Sequence, residues 1–198
     1  SDHLGQHGIE SLSDLAKVKA VVPQSVFRDG KSVLNADNEW TVEMARYARG
    51  EILFFSMDEN NPVIREHLRN KGRAVILRQV AAGDMITIIE NRRETSLLLA
   101  SQIPATFDGR LRVNVANALA ALSAARAYGL SLKDAAAALE GFSGTKRRLE
   151  VVGKANNVTV IDDFGHNPDK ITATLATLHA FPGRLLIMFQ PHGYGPLR

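Results

Sequence analysis

Short apolar runs alternate with amphipathic segments in the first part of the chain. Residues 31–37, 51–57 and 73–80 are predicted strands, and EILFFSM at 51–57 is almost continuously apolar, as expected of a strand buried on both faces. Helices are predicted between them at 38–50 and 60–72, and each ends at a glycine. Strands and helices that alternate at this short period are typical of an α/β fold with parallel strands.

Four further elements complete this part of the pattern. Apolar residues recur at helical spacing over 11–26, which predicts an amphipathic helix that ends near Pro23. Two apolar runs at 84–100 flank the polar turn ENRRE and predict a β-hairpin. A helix at 113–129 is apolar almost all round, as expected of a buried helix, and a helix at 131–142 begins with a Ser-x-x-Asp capping box.

The pattern restarts after a basic, polar segment that contains glycine. A strand at 158–164, a helix at 168–181 and a strand at 184–190 are predicted to form one βαβ unit. One such unit cannot bury both faces of its own sheet. The sequence therefore predicts a first domain over 1–150 and a second domain over 151–198 that is truncated here.

Composition narrows the class of protein. The chain has 198 residues, of which 45% are apolar and 23% charged, and its net charge is +3. These values are typical of a soluble globular protein, and no Lys/Arg stripe interleaved with aromatic residues favours nucleic acid. The absence of cysteine excludes disulfides and thiolate metal sites. No run approaches the roughly 18 apolar residues of a membrane span, and no signal-peptide pattern is present. A cytoplasmic enzyme or binding protein, without nucleic-acid or membrane partners, is expected.

Polar residues follow both strands of the predicted βαβ unit. Asp162, Asp163 and His166 come after the first strand, and His192 comes after the second. Ligands bind at the carboxyl ends of parallel strands in open α/β sheets, and a helix N-terminus beside them favours an anion. The alternative is that Asn167 caps the following helix and the carboxylates are solvated.

Two other groups of residues are candidates for nucleotide contacts. Asn114 and Asn117 share a helix face, and a side-chain amide that both donates and accepts suits an adenine edge. They could instead bind neighbouring backbone groups. Lys146, Arg147 and Arg148 could hold a phosphate through an arginine fork, although a basic run is also typical of a solvated linker.

Taken together, short segments of the chain resemble the motifs of the Mur ligases, in the order found in that superfamily. They are SDHLG, VLNAD, NVANALAA, GTKRRLE, IDDFGHNP and FQPHGYG. The superfamily comprises ATP-dependent, ADP-forming amide ligases, which include peptidoglycan-precursor enzymes, folylpolyglutamate synthase and the ligase module of cyanophycin synthetase. The earlier segments are most similar to cyanophycin synthetase, and IDDFGHNP and MFQPHGYG are more similar to UDP-N-acetylmuramate–L-alanine ligase.

The resemblance implies a fold, a reaction and partners. The chain would be the later part of a Mur-type central ATP-binding domain, followed by the start of a Rossmann-like C-terminal domain. No P-loop of the form GxxxxGK[ST] is present, so the P-loop and the N-terminal domain would belong to the rest of the same chain. ATP, with Mg²⁺, would convert a small-molecule carboxylate into an acyl phosphate that the amine of an amino acid attacks. The product would be a peptidoglycan-precursor or cyanophycin-like amide.

The same resemblance assigns roles to individual residues. His3 and Lys19, which many members carbamylate, would hold magnesium, with Lys17 as the fallback for Lys19. Arg148 would reach the terminal phosphate, and His166 and His192 would face the amine. The implied nucleotide contacts are Asn114 and Asn117 for adenine, Asp163 for ribose, Phe164 for the face of adenine and Arg148 for phosphate.

The chain departs from the family pattern at three positions. Val113 replaces a histidine of several members, and Asn38 replaces the second acid of NADD. Gly193 stands where the L-alanine-adding pattern has an arginine, so a carboxylate anchor is lost and L-alanine is in doubt as co-substrate. The alternative function is a non-catalytic nucleotide-binding or interaction module on the same fold, which a missing P-loop upstream of the chain would favour.

Overall fold

The computed structural model of the chain describes residues 4–5 and 7–190. Two compact units divide between Phe142 and Ser143, and they are named here the N-terminal unit and the C-terminal unit. Each contains helices and strands, so the α/β class predicted from the sequence is confirmed. The assignment of 1–150 and 151–198 to two domains of a ligase stays a prediction.

A five-stranded sheet forms the centre of the N-terminal unit, in the order β1-β2-β3-β4-β5. Its strands are β1 Lys31–Asn35, β2 Glu51–Ser56, β3 Arg73–Val80, β4 Gly83–Glu90 and β5 Arg93–Leu99. The first three are parallel, and β4 and β5 add an antiparallel meander, as the alternating pattern and the ENRRE turn predict. Asn91 and Arg92, both with φ in the left-handed region, form the two-residue turn between β4 and β5.

The outer half of β5 is polar and exposed. Its residues Arg93 to Ser96 are exposed, whereas Leu98 is buried. Glu94 forms an ion pair at 2.5 Å with Arg78 of β3, across the intervening strand β4. Hydrogen bonding to Arg78 lowers the pKa of Glu94. The strand is therefore fixed to the sheet at one end by a buried leucine and at the other by an ion pair.

Six helices surround this sheet. They are α1 Leu12–Lys19, α2 Val21–Ser25, α3 Glu39–Met44, α4 Pro62–Arg69, α5 Arg112–Tyr128 and α6 Leu132–Glu140. The capping box predicted at Ser131 is formed in one direction: the Ser131 hydroxyl accepts the Asp134 N–H at 3.1 Å and donates to Oδ2 of Asp134 at 2.6 Å. Within residues 4–5 and 7–190, no helix has the length and apolar character needed to cross a membrane.

The single helix predicted over 11–26 is wrong in two respects. The chain forms two helices, α1 and α2, that divide at Ala20. The predicted apolar face is also exposed, since Val18 is 54% and Val22 68% exposed, whereas Ala16 and Ala20 are buried. Small side chains on the opposite face allow close packing, which outweighs the burial of the larger residues.

Both faces of β2 are covered, as its continuous apolar run predicts. Leu53 and Phe55 point into a core with Leu119 of α5, whereas Phe54 points into a second core with Ile64 of α4. Successive side chains of a strand point to opposite faces, so one strand contributes to two separate cores.

His67 of α4 is a titratable group that packs against Phe54 of the second core. Its ring meets Phe54 edge-on, with centroids 5.0 Å apart, and its Nε2 is buried without a hydrogen-bond partner in the part of the chain that the structure describes. A Cβ at Gly72 would lie 2.2 Å from that nitrogen, so glycine leaves room for the ring. Burial, the largest cause, lowers the pKa of His67 below its ordinary value.

We expect the free energy of unfolding to fall as the pH decreases from about 7.5 to about 5.5. The unfolded chain takes up a proton on His67 near its ordinary pKa of 6.5, whereas the folded chain resists it. Protonation therefore favours the unfolded state, by at most about 1.4 kcal/mol per pH unit for one group. Urea unfolding at both pH values measures the slope. His67→Phe should reduce the slope and Arg69→Gln should keep it; equal slopes in both variants would contradict this role of His67.

The C-terminal unit contains a β-hairpin followed by a helix. Its elements are β6 Glu150–Ala155, β7 Val158–Asp162 and α7 Pro168–Leu178. The predicted βαβ unit is wrong, because β7 pairs antiparallel with β6 and residues 184–190 form no regular element. Asn156 and Asn157 have left-handed φ values and close the hairpin locally, which favours antiparallel pairing. Met188, in the segment expected to be a strand, is 99% exposed.

Candidate functional site

The loop between β7 and α7 is built around the carboxylate of Asp163. Its Oδ1 accepts the Leu149 N–H at 3.1 Å, and its Oδ2 accepts the Gly165 N–H at 3.0 Å and the Thr174 hydroxyl at 2.8 Å. A Cβ at Gly165 would lie 2.8 Å from that Oδ2, so a larger residue here would displace the Asp163 carboxylate. One side chain therefore joins the start of β6, the loop and α7.

Asp162, the first of the two adjacent carboxylates, makes one long ion pair. Its side chain is 46% exposed, and its Oδ2 lies 3.8 Å from Nε of Arg147. An ion pair of this length at an exposed site contributes little to stability. The predicted solvated state therefore describes Asp162 better than Asp163.

Phe164 is contacted by two arginines. The guanidinium carbons of Arg147 and Arg148 lie 5.0 Å and 5.7 Å from the centre of its ring, within cation–π distance. The Phe164 N–H donates to the carbonyl of Arg147 at 2.9 Å, which ties the loop to this basic segment. Arg147 and Leu149 both have left-handed φ values, of 59° and 50°. The result is an aromatic face beside two positive groups.

His166 lies at the start of α7 with both ring nitrogens in contact. Its Nδ1 is 3.0 Å from the carbonyl oxygen of Phe164, and its Nε2 is 3.1 Å from Nζ of Lys170. The ring packs at 70° to Phe164, with centroids 5.3 Å apart. Asn167 caps the helix by accepting the Lys170 N–H at 2.9 Å, so the capping alternative is correct for that residue.

Asn114 and Asn117 lie on α5 of the N-terminal unit. The Asn114 amide donates to the carbonyl of Ala105 at 2.7 Å, and the Asn117 amide donates to Oδ1 of Asn114 at 3.3 Å. Asn114 thus binds neighbouring backbone, as the alternative from the sequence has it, and the exposed Asn117 is the more accessible of the two. Adenine binding by this pair, and one nucleotide touching both Asn117 and Asp163, stay predictions.

The predicted magnesium ligands are placed only in part. Lys19 is exposed at the last position of α1, and Lys17 pairs with Asp14 at 3.5 Å. His3 and His192 lie outside the described residues. Among the residues that are described, no group of three or more His, Cys, Asp or Glu side chains could hold a metal ion. Magnesium binding by His3 and Lys19 stays a prediction.

Two side chains of α7 that contact the loop were not predicted from the sequence. Thr174 lies eleven residues after Asp163, and Lys170 lies four residues after His166. Helical spacing gives a signal for Lys170, because residues four apart share a face. No spacing rule pairs Thr174 with a residue that precedes the helix.

This chain resembles Mur ligases in fold and, over part of its length, in sequence. Residues 147–195 match the family described as Mur ligase, glutamate ligase domain. MurF from Acinetobacter baumannii has the same fold over 91% of this chain and 36% of its own, with a TM-score of 0.62 and 23% identity. The murein peptide ligase Mpl from Psychrobacter arcticus covers 84% of this chain, and 32% of its own chain is matched, with a TM-score of 0.56 and 25% identity.

Curated relatives agree with this family. A cyanophycin synthetase from Geminocystis herdmanii is 33% identical over 172 residues, which is 84% of this chain and 19% of that protein. A UDP-N-acetylmuramate–L-alanine ligase from Pelotomaculum thermopropionicum is 33% identical over 196 residues, which is 98% of this chain and 38% of that protein. The resemblance to Mur ligases predicted from the motifs is confirmed. The chain spans about a fifth of the length of the cyanophycin synthetases that it matches.

Proposed function

We propose that the chain is part of an ATP-dependent, ADP-forming ligase that joins a carboxylate to the amine of an amino acid through an acyl phosphate. The observation that carries this proposal is the loop at Phe164, where an aromatic face lies beside the guanidinium groups of Arg147 and Arg148. A nucleotide offers a flat base and anionic phosphates, and these two groups complement both. Similarity to proteins named as ligases supports the same reading.

Electrostatics explain why such a reaction needs cationic residues. A carboxylate is a poor electrophile because its charge repels the nucleophile, and phosphorylation removes that charge. Negative charge builds on the phosphoryl oxygens during transfer, so a fixed guanidinium group stabilises the transition state more than the ground state. In this proposal Arg148 supplies that charge, and Phe164 lies against the base. Magnesium stays a proposed cofactor, with His3 and Lys19 as its proposed ligands.

Asp163 has a structural role before any role in binding. Its carboxylate joins Leu149, Gly165 and Thr174, and so fixes the position of the loop. Oδ1 accepts one of these three bonds and can accept a second, so a contact of Oδ1 with a ribose hydroxyl is compatible with this arrangement. We infer that Asp163 acts on the nucleotide at least in part by holding Phe164 in place.

The substrate class follows from the relatives and stays a proposal. A cyanophycin-like or peptidoglycan-precursor amide is the product that these similarities favour, in the cytoplasm. The alternative, a non-catalytic nucleotide-binding module, would contain the same loop and bind a nucleotide, but it would not release phosphate from ATP.

Phosphate release from the complete gene product that contains this chain tests the proposal. The protein is incubated with ATP and a panel of acids and amino acids. We expect release that depends on one acid and one amine together, with one amide formed per phosphate. Binding of ATP without release under any pair of substrates would support the non-catalytic module instead.

A further inference from the structure

Lys170 occupies an unusual position for a cation. It lies in the first turn of α7, three residues after the cap Asn167, and is half-buried. The dipole of a helix disfavours positive charge at its N-terminus, so a lysine there is unfavourable unless its ammonium has a specific partner. One such partner is Nε2 of His166, at 3.1 Å from Nζ.

The two contacts of the His166 ring select one tautomer. A carbonyl oxygen can only accept a hydrogen bond, so Nδ1 must carry the hydrogen that points to Phe164 at 3.0 Å. An ammonium group can only donate, so Nε2 must carry the lone pair that receives Lys170. Each contact favours the same arrangement, so the two together hold the ring in the Nδ1–H form more strongly than either does alone.

We propose that Lys170 is a positioning residue, which holds the neutral His166 ring in the Nδ1–H tautomer and thereby keeps Nε2 as a hydrogen-bond acceptor. Resting on the proposed function, this inference gives the amine side of the site a specific chemistry. When an amino acid binds, its ammonium or amine can replace Nζ of Lys170 as the donor to the single lone pair of Nε2. Nζ of Lys170, beside it, is a cation that can pair with the carboxylate of the same amino acid. The pair therefore fits an α-amino acid, whose two charged groups are close together.

Histidine ring NMR tests the tautomer without any enzyme activity. The chain is labelled with ¹⁵N-histidine and studied at a pH where the ring shifts no longer change, and His166→Gln identifies the resonances of His166. We expect a pyrrole-type shift at Nδ1 and a pyridine-type shift at Nε2. Lys170→Met should move both shifts towards their mean or exchange them, because the Nε2–H form gains population. Lys170→Arg, which keeps a donor-only cation, should preserve the original pattern.

One control variant and two contradicting outcomes make the experiment decisive. Lys154→Met removes an exposed lysine of β6 and should leave the His166 shifts unchanged. A wild-type ring in the Nε2–H form, or an unchanged pattern in folded Lys170→Met, would overturn the proposal. If circular dichroism shows that Lys170→Met is unfolded, Lys170→Ala takes its place with the same expectation.

Kinetics of the complete gene product separate this inference from the proposed function. Lys170→Met should raise KM for the amino acid about tenfold, as expected for the loss of one charge-assisted hydrogen bond, with KM for ATP nearly unchanged. Equal increases in both constants would contradict an amino-acid subsite. If the gene product forms no amide at all, the proposed function fails, whereas the NMR result on the tautomer stands or falls by itself.

Discussion

Replacing Arg148 with alanine is expected to lower kcat of the complete ligase by about 10²-fold to 10³-fold. The guanidinium group of Arg148 lies beside Phe164, where the proposed nucleotide binds. Loss of a fixed positive group that meets developing charge acts on the transition state more than on the bound substrate, so kcat should fall more than KM rises. Initial rates of phosphate release at saturating ATP measure this effect.

Lys146 provides a matched control for that experiment. It is two residues from Arg148, carries the same charge and is exposed. Lys146→Ala should therefore leave kcat within about twofold of the wild-type value, because a solvated surface charge is largely screened. Equal losses in the two variants would show that the basic segment acts through its net charge. An unchanged kcat in Arg148→Ala would remove this residue from the proposed reaction.

Replacing Asp163 with alanine is expected to lower the free energy of unfolding of the C-terminal unit by about 3 kcal/mol. The substitution removes three hydrogen bonds to an ionised acceptor, two from backbone N–H groups and one from the Thr174 hydroxyl. The N–H of Leu149 belongs to a residue that is only 7% exposed, so water replaces the lost acceptor incompletely. The urea dependence of the amide NMR signals of α7 measures the change.

The neighbouring Asp162 separates the effect of hydrogen bonding from that of charge. Asp162→Ala removes the same charge but one long ion pair, so a loss below about 0.5 kcal/mol is expected. Asp163→Asn should lie between the two, because an amide keeps one acceptor oxygen and loses the other. If Asp162→Ala and Asp163→Ala destabilise α7 equally, the loop is not organised by the contacts of Asp163.

The sheet of the N-terminal unit could be predicted because its signals are local. Apolar runs mark β1 to β3, and the polar turn between two such runs marks the meander of β4 and β5. The helix over 11–26 was predicted less well, since burial of Ala16 and Ala20 depends on what packs against them. The strand expected at 184–190 failed for a related reason, because an apolar run forms a strand only beside a partner.

The candidate loop could be located from the sequence, but its internal contacts could not. Asp163, Phe164 and His166 are close in sequence and were expected to act together, and the structure brings them into one loop. The bond from Leu149 to Asp163 spans 14 residues across a hairpin whose pairing was not recognised. Without that hairpin the carboxylate has no visible partner at the start of β6, so the sequence offers only a ligand contact or a solvated carboxylate.

The polar outer half of β5 has a consequence for how the protein behaves in concentrated solution. A strand at the edge of a sheet is a template for pairing with another molecule, which leads to aggregation. The exposed residues from Arg93 to Ser96 combine charged and polar side chains, and Glu94 is held in an ion pair with Arg78. A second molecule would have to desolvate these charges to extend the sheet, so this edge opposes intermolecular β-pairing.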